Sequence, residues 1–225
     1  MRLREHAALP TKRGGESAPR NEIRPPAALG RRDRLGGTDG NEVLTSATAA
    51  VLTVLLVAEG ITILRIGGLI SAHMFIGLVL IPPVLLKLAS TGYRFVRYYT
   101  GAGAYREKGP PPLPLRLLAP VLVAATAGVF VTGVLLLLLG HRSDQLLLLH
   151  KITFVIWGVV FAVHFLAHLP RVIRILGPDR GAARRRAVAR AGARGTLVAA
   201  SLGAGIALAL SLLGAIAGWQ TGHPN

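Results

Sequence analysis

The chain has 225 residues, 52% of them hydrophobic and only 16% charged, with no cysteine and a formal net charge of +16 from 26 Lys and Arg against 10 Asp and Glu. So apolar a chain conflicts with a water-soluble domain. The missing cysteines exclude disulfides, thiolate-ligated zinc, iron–sulfur clusters and covalent haem attachment through Cys-x-x-Cys-His. Any metal or cofactor must be held by histidine, carboxylate or backbone. Nucleic-acid binding needs the cations gathered on one folded surface; here apolar segments sort them along the chain, and no nucleic-acid partner is expected.

Residues 1–42 carry nine Lys and Arg, six Asp and Glu and many Pro and Gly, without apolar periodicity. That composition cannot bury enough surface to offset the entropy of ordering, so it reads as a disordered basic tail. Arg31-Arg32 is faintly similar to a twin-arginine export signal, but the apolar stretch that follows is long enough to span and lacks an evident cleavage site. It reads as an anchor.

Apolar stretches follow at 43–64, 68–90, 117–140, 145–169 and 197–218. Each suits the ~20 residues that cross roughly 30 Å of hydrocarbon at a rise of about 1.5 Å per residue. A bilayer interior offers the backbone no water, and connections this short permit helices but not a barrel. The predicted fold is therefore an all-α integral membrane bundle of five transmembrane helices. A four-helix core occupies 43–170, a basic loop 171–195, and the fifth helix with a short tail 196–225.

The cations predict the orientation. The tail holds nine, residues 87–116 hold six and residues 171–194 hold eight, against Arg65, Arg142 and Lys151 on the opposite side. The positive-inside rule then puts the N-terminus in the cytoplasm and the C-terminus outside. Tyr93, Tyr98, Tyr99 and Tyr105 cluster where the second helix leaves on the cytoplasmic side, and Trp219 closes the outer end of the fifth. The Arg-rich run 180–194 serves as a solvated topology determinant and could also attract anionic head groups.

Five histidines lie in or beside the spans: His73, His141, His150, His164 and His168. Titratable side chains at bilayer depth are costly and need an occupation facing the bundle interior. The second and fourth helices both enter from outside, and His73 and His150 lie equally far past the starts of their stretches, about 7 to 8 Å along the axis. Two imidazoles level on facing helices can supply both axial ligands of one haem iron. Gly77, one turn from His73, leaves room for a porphyrin edge, and Arg65, His141, Arg142 and Lys151 could pair with propionates.

His150 and His164 are separated by about 1400° and 21 Å at roughly 100° and 1.5 Å per residue, which places them on one face at two depths. Phe154, Trp157 and Phe161 fall within about 40° of His150 on that same face. The stripe can be ordinary aromatic packing or the wall of a stacked porphyrin; the bracketing histidines favour the cofactor.

This pair of histidines on one transmembrane helix, matched by histidine on a neighbour, resembles the bacterial membrane cytochromes b: the cytochrome b561-like proteins and the haem-bearing anchor subunits of formate dehydrogenases and nickel hydrogenases. The resemblance covers about residues 43–170. The segments His73-Met-Phe-Ile-Gly77 and His150-Lys-Ile-Thr-Phe-Val-Ile-Trp157 are similar to haem-ligating segments of small membrane cytochromes from GC-rich bacteria, and 22 Arg against 4 Lys fits such a genome. It implies haem b with bis-histidine ligation, electron transfer across the bacterial cytoplasmic membrane, and exchange with quinone or a partner redox subunit.

The two-haem pattern of that family is incomplete. The position that should face His164 holds Lys87, and Pro82 and Pro83 are expected to interrupt the helix between. A second haem at His164 is therefore open, and Lys87 is expected to snorkel. His164 and His168 point the same way, so they cannot take opposite axial positions, although i, i+4 imidazoles can share a metal ion; one of them could instead hydrogen-bond a quinone. Glu59 is the one carboxylate well inside a span, suited either to proton exchange or to pairing with Arg65. The fifth helix, rich in Gly and Ala, suits close packing on the bundle or a partner.

The sequence thus predicts an electron-transfer subunit of an oxidoreductase complex at most, with no soluble-enzyme motif. The rivals are a haem-free membrane subunit or assembly factor, and a proton or metal transporter using the same histidines.

Overall fold

The computed structural model describes residues 37–101, 103–107, 113–139, 143–176 and 191–221, and every regular element among them is α-helical. The helices are α1 (Gly37–Leu64), α2 (Ile66–Tyr99), the short α3 (Gly103–Glu107), α4 (Leu113–Leu139), α5 (Asp144–Leu176), α6 (Ala191–Ser211) and α7 (Leu213–Thr221). Five are long and apolar enough to cross a membrane: α1, α2, α4, α5 and α6. Most of the predicted tail, most of the basic loop, and His6, His141, Arg142 and His223 lie outside the described residues. Residues 37–42, assigned to the tail by composition, form the first turns of α1, where Asn41 Nδ2 donates to the Ser90 carbonyl at 3.0 Å.

The bundle has its apolar side outward. Leu64 is 85% exposed and Val54 70%, while Thr48 is wholly buried and Thr62 nearly so. A polar solvent would not tolerate that arrangement, but lipid tails are as apolar as Leu and do not drive it inward. Buried hydroxyls bond back to their own helices, as Thr48 Oγ1 does to the Leu44 carbonyl at 2.8 Å.

Arg65 alone separates α1 from α2. The amides of Gly68 and Leu69 both donate to its carbonyl at 3.0 Å, and Leu69 leaves helical geometry at φ −123° to complete the reversal. The two helices then run antiparallel along their length. Near the far end, Lys87 Nζ donates to the Thr45 carbonyl at 2.9 Å and Thr45 Oγ1 to Ser90 Oγ at 3.1 Å.

Pro82 and Pro83 do not interrupt α2, contrary to the sequence expectation; Leu69 is its one non-helical residue. Proline at 83 removes the amide that would bond the Val79 carbonyl. Gly205 of α6 lies flush against that carbonyl, and a Cβ built there would also stand 3.0 Å from Val79 Cα. The α-hydrogen occupying that direction points at the freed oxygen, a Cα–H···O contact of the kind that lets helices close on each other. Pro83 itself is fully buried. Around this contact gather Leu78, Val79, Leu137, Ala209 and Ile216.

The fifth apolar stretch, expected as one helix over 197–218, breaks at Leu212. Its amide turns to the Ala209 carbonyl at 3.3 Å, three residues back, while Ser211 Oγ donates to the Leu208 carbonyl at 2.8 Å. The tighter bond pattern ends α6 and starts α7. Trp219 on α7 then donates through Nε1 to the Leu136 carbonyl of α4 at 3.2 Å.

In this layout α2 is the central helix, flanked by α1 and α6, and α5 packs along α4. Backbone contact between α2 and α5 is slight by comparison. Gly128 and Gly133 bring α4 close to α5, facing Thr153 and His150 respectively.

The glycine at 205 gives a sign-reversal test. Ala normally stabilises a helix interior by up to about 1 kcal/mol over Gly, and Gly203, which faces open space, should behave so. Gly205→Ala should instead destabilise by about 1–3 kcal/mol through overpacking on Val79. Unfolding in mixed micelles followed by circular dichroism distinguishes the two.

Candidate functional site

His73 on α2 and His150 on α5 come together. Their ring centres are 6.5 Å apart and their planes cross at 77°. A metal–nitrogen bond of roughly 2 Å, with about 1 Å more from nitrogen to ring centre, would put the centres of two axial imidazoles roughly 6 Å apart. The observed spacing suits two ligands of one metal centre.

Each ring is fixed through Nδ1. His73 Nδ1 lies 2.9 Å from Glu59 Oε1 and 3.2 Å from Thr62 Oγ1. The Thr62 hydroxyl donates to the Glu59 carbonyl at 2.6 Å, so its proton is spent and it faces His73 as an acceptor. His150 Nδ1 lies 2.9 Å from Thr132 Oγ1, whose proton goes to the Gly128 carbonyl at 2.6 Å. In both cases the network that uses every proton has Nδ1–H donating. Both Nε2 atoms then carry the lone pair a metal needs, with the opposite ring nitrogen anchored as metal-binding histidines commonly are.

A glycine lies beside each seat, and at His150 the fit is tight. A Cβ at Gly133 would stand 3.2 Å from His150 Cε1, and one at Gly77 would stand 3.5 Å from Glu59 Oε1. Gly77 thus faces the carboxylate that holds His73, at ordinary contact distance. Arg65 sits exposed at the α1–α2 corner, and among the described residues Glu59 pairs with His73 and not with Arg65. Lys151 is exposed beside His150.

Trp157 belongs to a ladder of stacked rings along α5. Its neighbour Phe161 is 4.8 Å away at 10°, Phe154 lies 6.1 Å off on one side, and Phe165 extends the stack 5.7 Å beyond Phe161. The indole Nε1 donates to Thr126 Oγ1 at 3.1 Å, which ties the ladder to α4.

The second candidate position is differently built. His164 and His168 stack at 4.5 Å, and His168 Nδ1 lies 2.9 Å from the His164 carbonyl. His164 Nδ1 is buried without a hydrogen-bond partner. Lys87 spends a donor on the Thr45 carbonyl across α1, which is its contact in place of free snorkelling. No His, Asp or Glu triad able to cage a bare metal ion occurs among the described residues.

Sequence reasoning missed Thr62, Thr132 and the Glu59–His73 pair. The signal was present in the numbering: Glu59 and His73 are equidistant from Ile66, as Thr45 and Lys87 are, so an antiparallel hairpin turning there must bring each pair together.

Thr132 ties α4 to α5, while Thr153 bonds only within α5 through the Leu149 and His150 carbonyls. Thr132→Val should lower bundle stability by about 0.6–2 kcal/mol, the range of interhelical hydrogen bonds in lipid; Thr153→Val should leave it nearly unchanged. Unfolding of both variants in mixed micelles reads the difference. Comparison with known proteins returns no matching family, no characterised relative and no matching solved structure.

Proposed function

We propose that this chain is the b-type haem electron-transfer subunit of a bacterial cytoplasmic-membrane oxidoreductase, in which His73 and His150 would hold the haem. The single observation that carries the reading is the approach of two Nδ1-anchored imidazoles across helices α2 and α5, which otherwise make little backbone contact. Slight contact between helices that share a pair of facing histidines is the arrangement a flat macrocycle standing between them would require.

When bound, haem b supplies one-electron transfer, and the protein contributes ligands, orientation and a low-dielectric surround. His73 and His150 would hold it through the ring nitrogens that their Nδ1 contacts leave free. Glu59, Thr62 and Thr132 hold the rings in the competent tautomer. The lipid-facing Leu, Val and Ile side chains of α4 and α5 keep water from the pair. The ladder from Phe154 to Phe165 and the stacked His164 and His168 line the path toward the other end of α5.

Under this reading the cation asymmetry supports a cytoplasmic N-terminus, which would leave the His73–His150 pair beneath the outer leaflet. Quinone and a partner redox subunit are the electron donor and acceptor. One haem per chain is favoured, because Lys87 is engaged with Thr45 and no second imidazole faces His164 from another described helix.

Purified protein should show a Soret band and a reduced-minus-oxidised α band, with about one haem per chain by pyridine haemochrome. Replacing either ligand, His73→Ala or His150→Ala, should remove that same haem, since losing one axial bond opens a coordination position. His164→Ala should retain it. Protein without a Soret band would instead indicate a haem-free membrane subunit.

A further inference from the structure

The two imidazoles are not held alike. His73 Nδ1 meets a carboxylate oxygen at 2.9 Å, whereas His150 Nδ1 meets a neutral hydroxyl at the same distance. Glu59 has few other claims on it. Its Oε2 is 3.4 Å from Thr62 Oγ1, a hydroxyl already committed to the Glu59 backbone carbonyl, and among the described residues no Lys or Arg pairs with it. Its Oε1 lies against α2 beside Gly77, at ordinary contact distance from where a Cβ would stand. A carboxylate kept at such cost inside an apolar span, aimed at one ring nitrogen, calls for a purpose beyond holding a helix hairpin closed.

Resting on the haem reading above, we propose that Glu59 is a positioning residue that makes His73 the more electron-donating of the two ligands and so holds the midpoint potential of the bound haem low. Two physical effects act in the same direction. A hydrogen bond to an anionic acceptor is stronger than one to a neutral hydroxyl, and it draws the Nδ1 proton so that electron density builds at Nε2. An oxidised iron–porphyrin core also carries one more positive charge than the reduced core, and a fixed carboxylate nearby favours it the more strongly for being away from water. Thr132 supplies neither effect to His150.

The test is a reductive titration of the full-length, haem-loaded protein in detergent, followed at the Soret and α bands. Glu59→Gln keeps an oxygen that can accept from Nδ1 but removes the charge. At a fixed ambient potential it should raise the ratio of reduced to oxidised haem at least tenfold, about 59 mV for a one-electron couple. Glu59→Met, an apolar side chain of similar length that hydrocarbon accepts, should shift the ratio in the same direction. Thr132→Val should shift it less than either. The low-spin ferric EPR g values should move in both Glu59 variants, which a purely structural role would leave in place.

The inference is overturned if the Glu59 variants bind haem with a ratio within twofold of the parent, or shift no more than Thr132→Val. It is also overturned if both lose haem, since Glu59 would then be a structural requirement. A parent protein without haem would remove the proposed function itself, an outcome distinct from all of these.

Discussion

Hydrocarbon offers a polar side chain nothing to bond to, and this constraint organises the molecule. Thr48, Thr62, Ser90 and Thr132 are among its most buried residues, while large aliphatic side chains cover the outside. The polar groups inside the spans answer one another: Asn41 with Ser90, Lys87 with Thr45, Glu59 and Thr62 with His73, Thr132 with His150, Trp157 with Thr126. Apolar attraction does little to hold helices together in lipid, so these pairings and the close contacts at glycine set which helix lies beside which. The candidate site is one instance of the same rule, in which each imidazole satisfies one nitrogen within the bundle and leaves the other available.

The fold was largely legible because the bilayer reduces the choices. Twenty-odd apolar residues in succession have one backbone solution, and the five stretches read from the sequence correspond to the five long helices. Departures occur where local chemistry outweighs hydropathy. At Leu212 a backbone bond reaching three residues back instead of four, beside a Ser211 hydroxyl turned back on its own helix, splits an apolar run that hydropathy joins. At Pro83 a residue that ordinarily bends a helix is absorbed, because the carbonyl it strips of a partner meets the α-hydrogen of Gly205 on another helix. That compensation involves residues far apart in the chain, and no window of local sequence contains it.

The site was legible in part for a related reason. Depth along a helix is arithmetic on residue numbers, so His73 and His150 could be placed level with each other. Rotation about the axis relative to a neighbour depends on packing, and that decides whether Gly77 looks toward His150 or toward Glu59; it looks toward Glu59. Thr62 and Thr132 carried no signal of their own, since threonine within an apolar span ordinarily bonds to its own helix, as Thr53 and Thr126 do. They matter because a ring nitrogen from the next helix arrives at an oxygen whose proton is already committed.

The single-residue corner at Arg65 bears on how the protein enters its membrane. With a single residue between α1 and α2, the corner favours entry of the two spans as one folded-back unit. Glu59 and His73, each expensive to immerse alone, then cross the interface already joined. Their pairing would thus ease the passage into hydrocarbon of a hairpin that carries two titratable side chains.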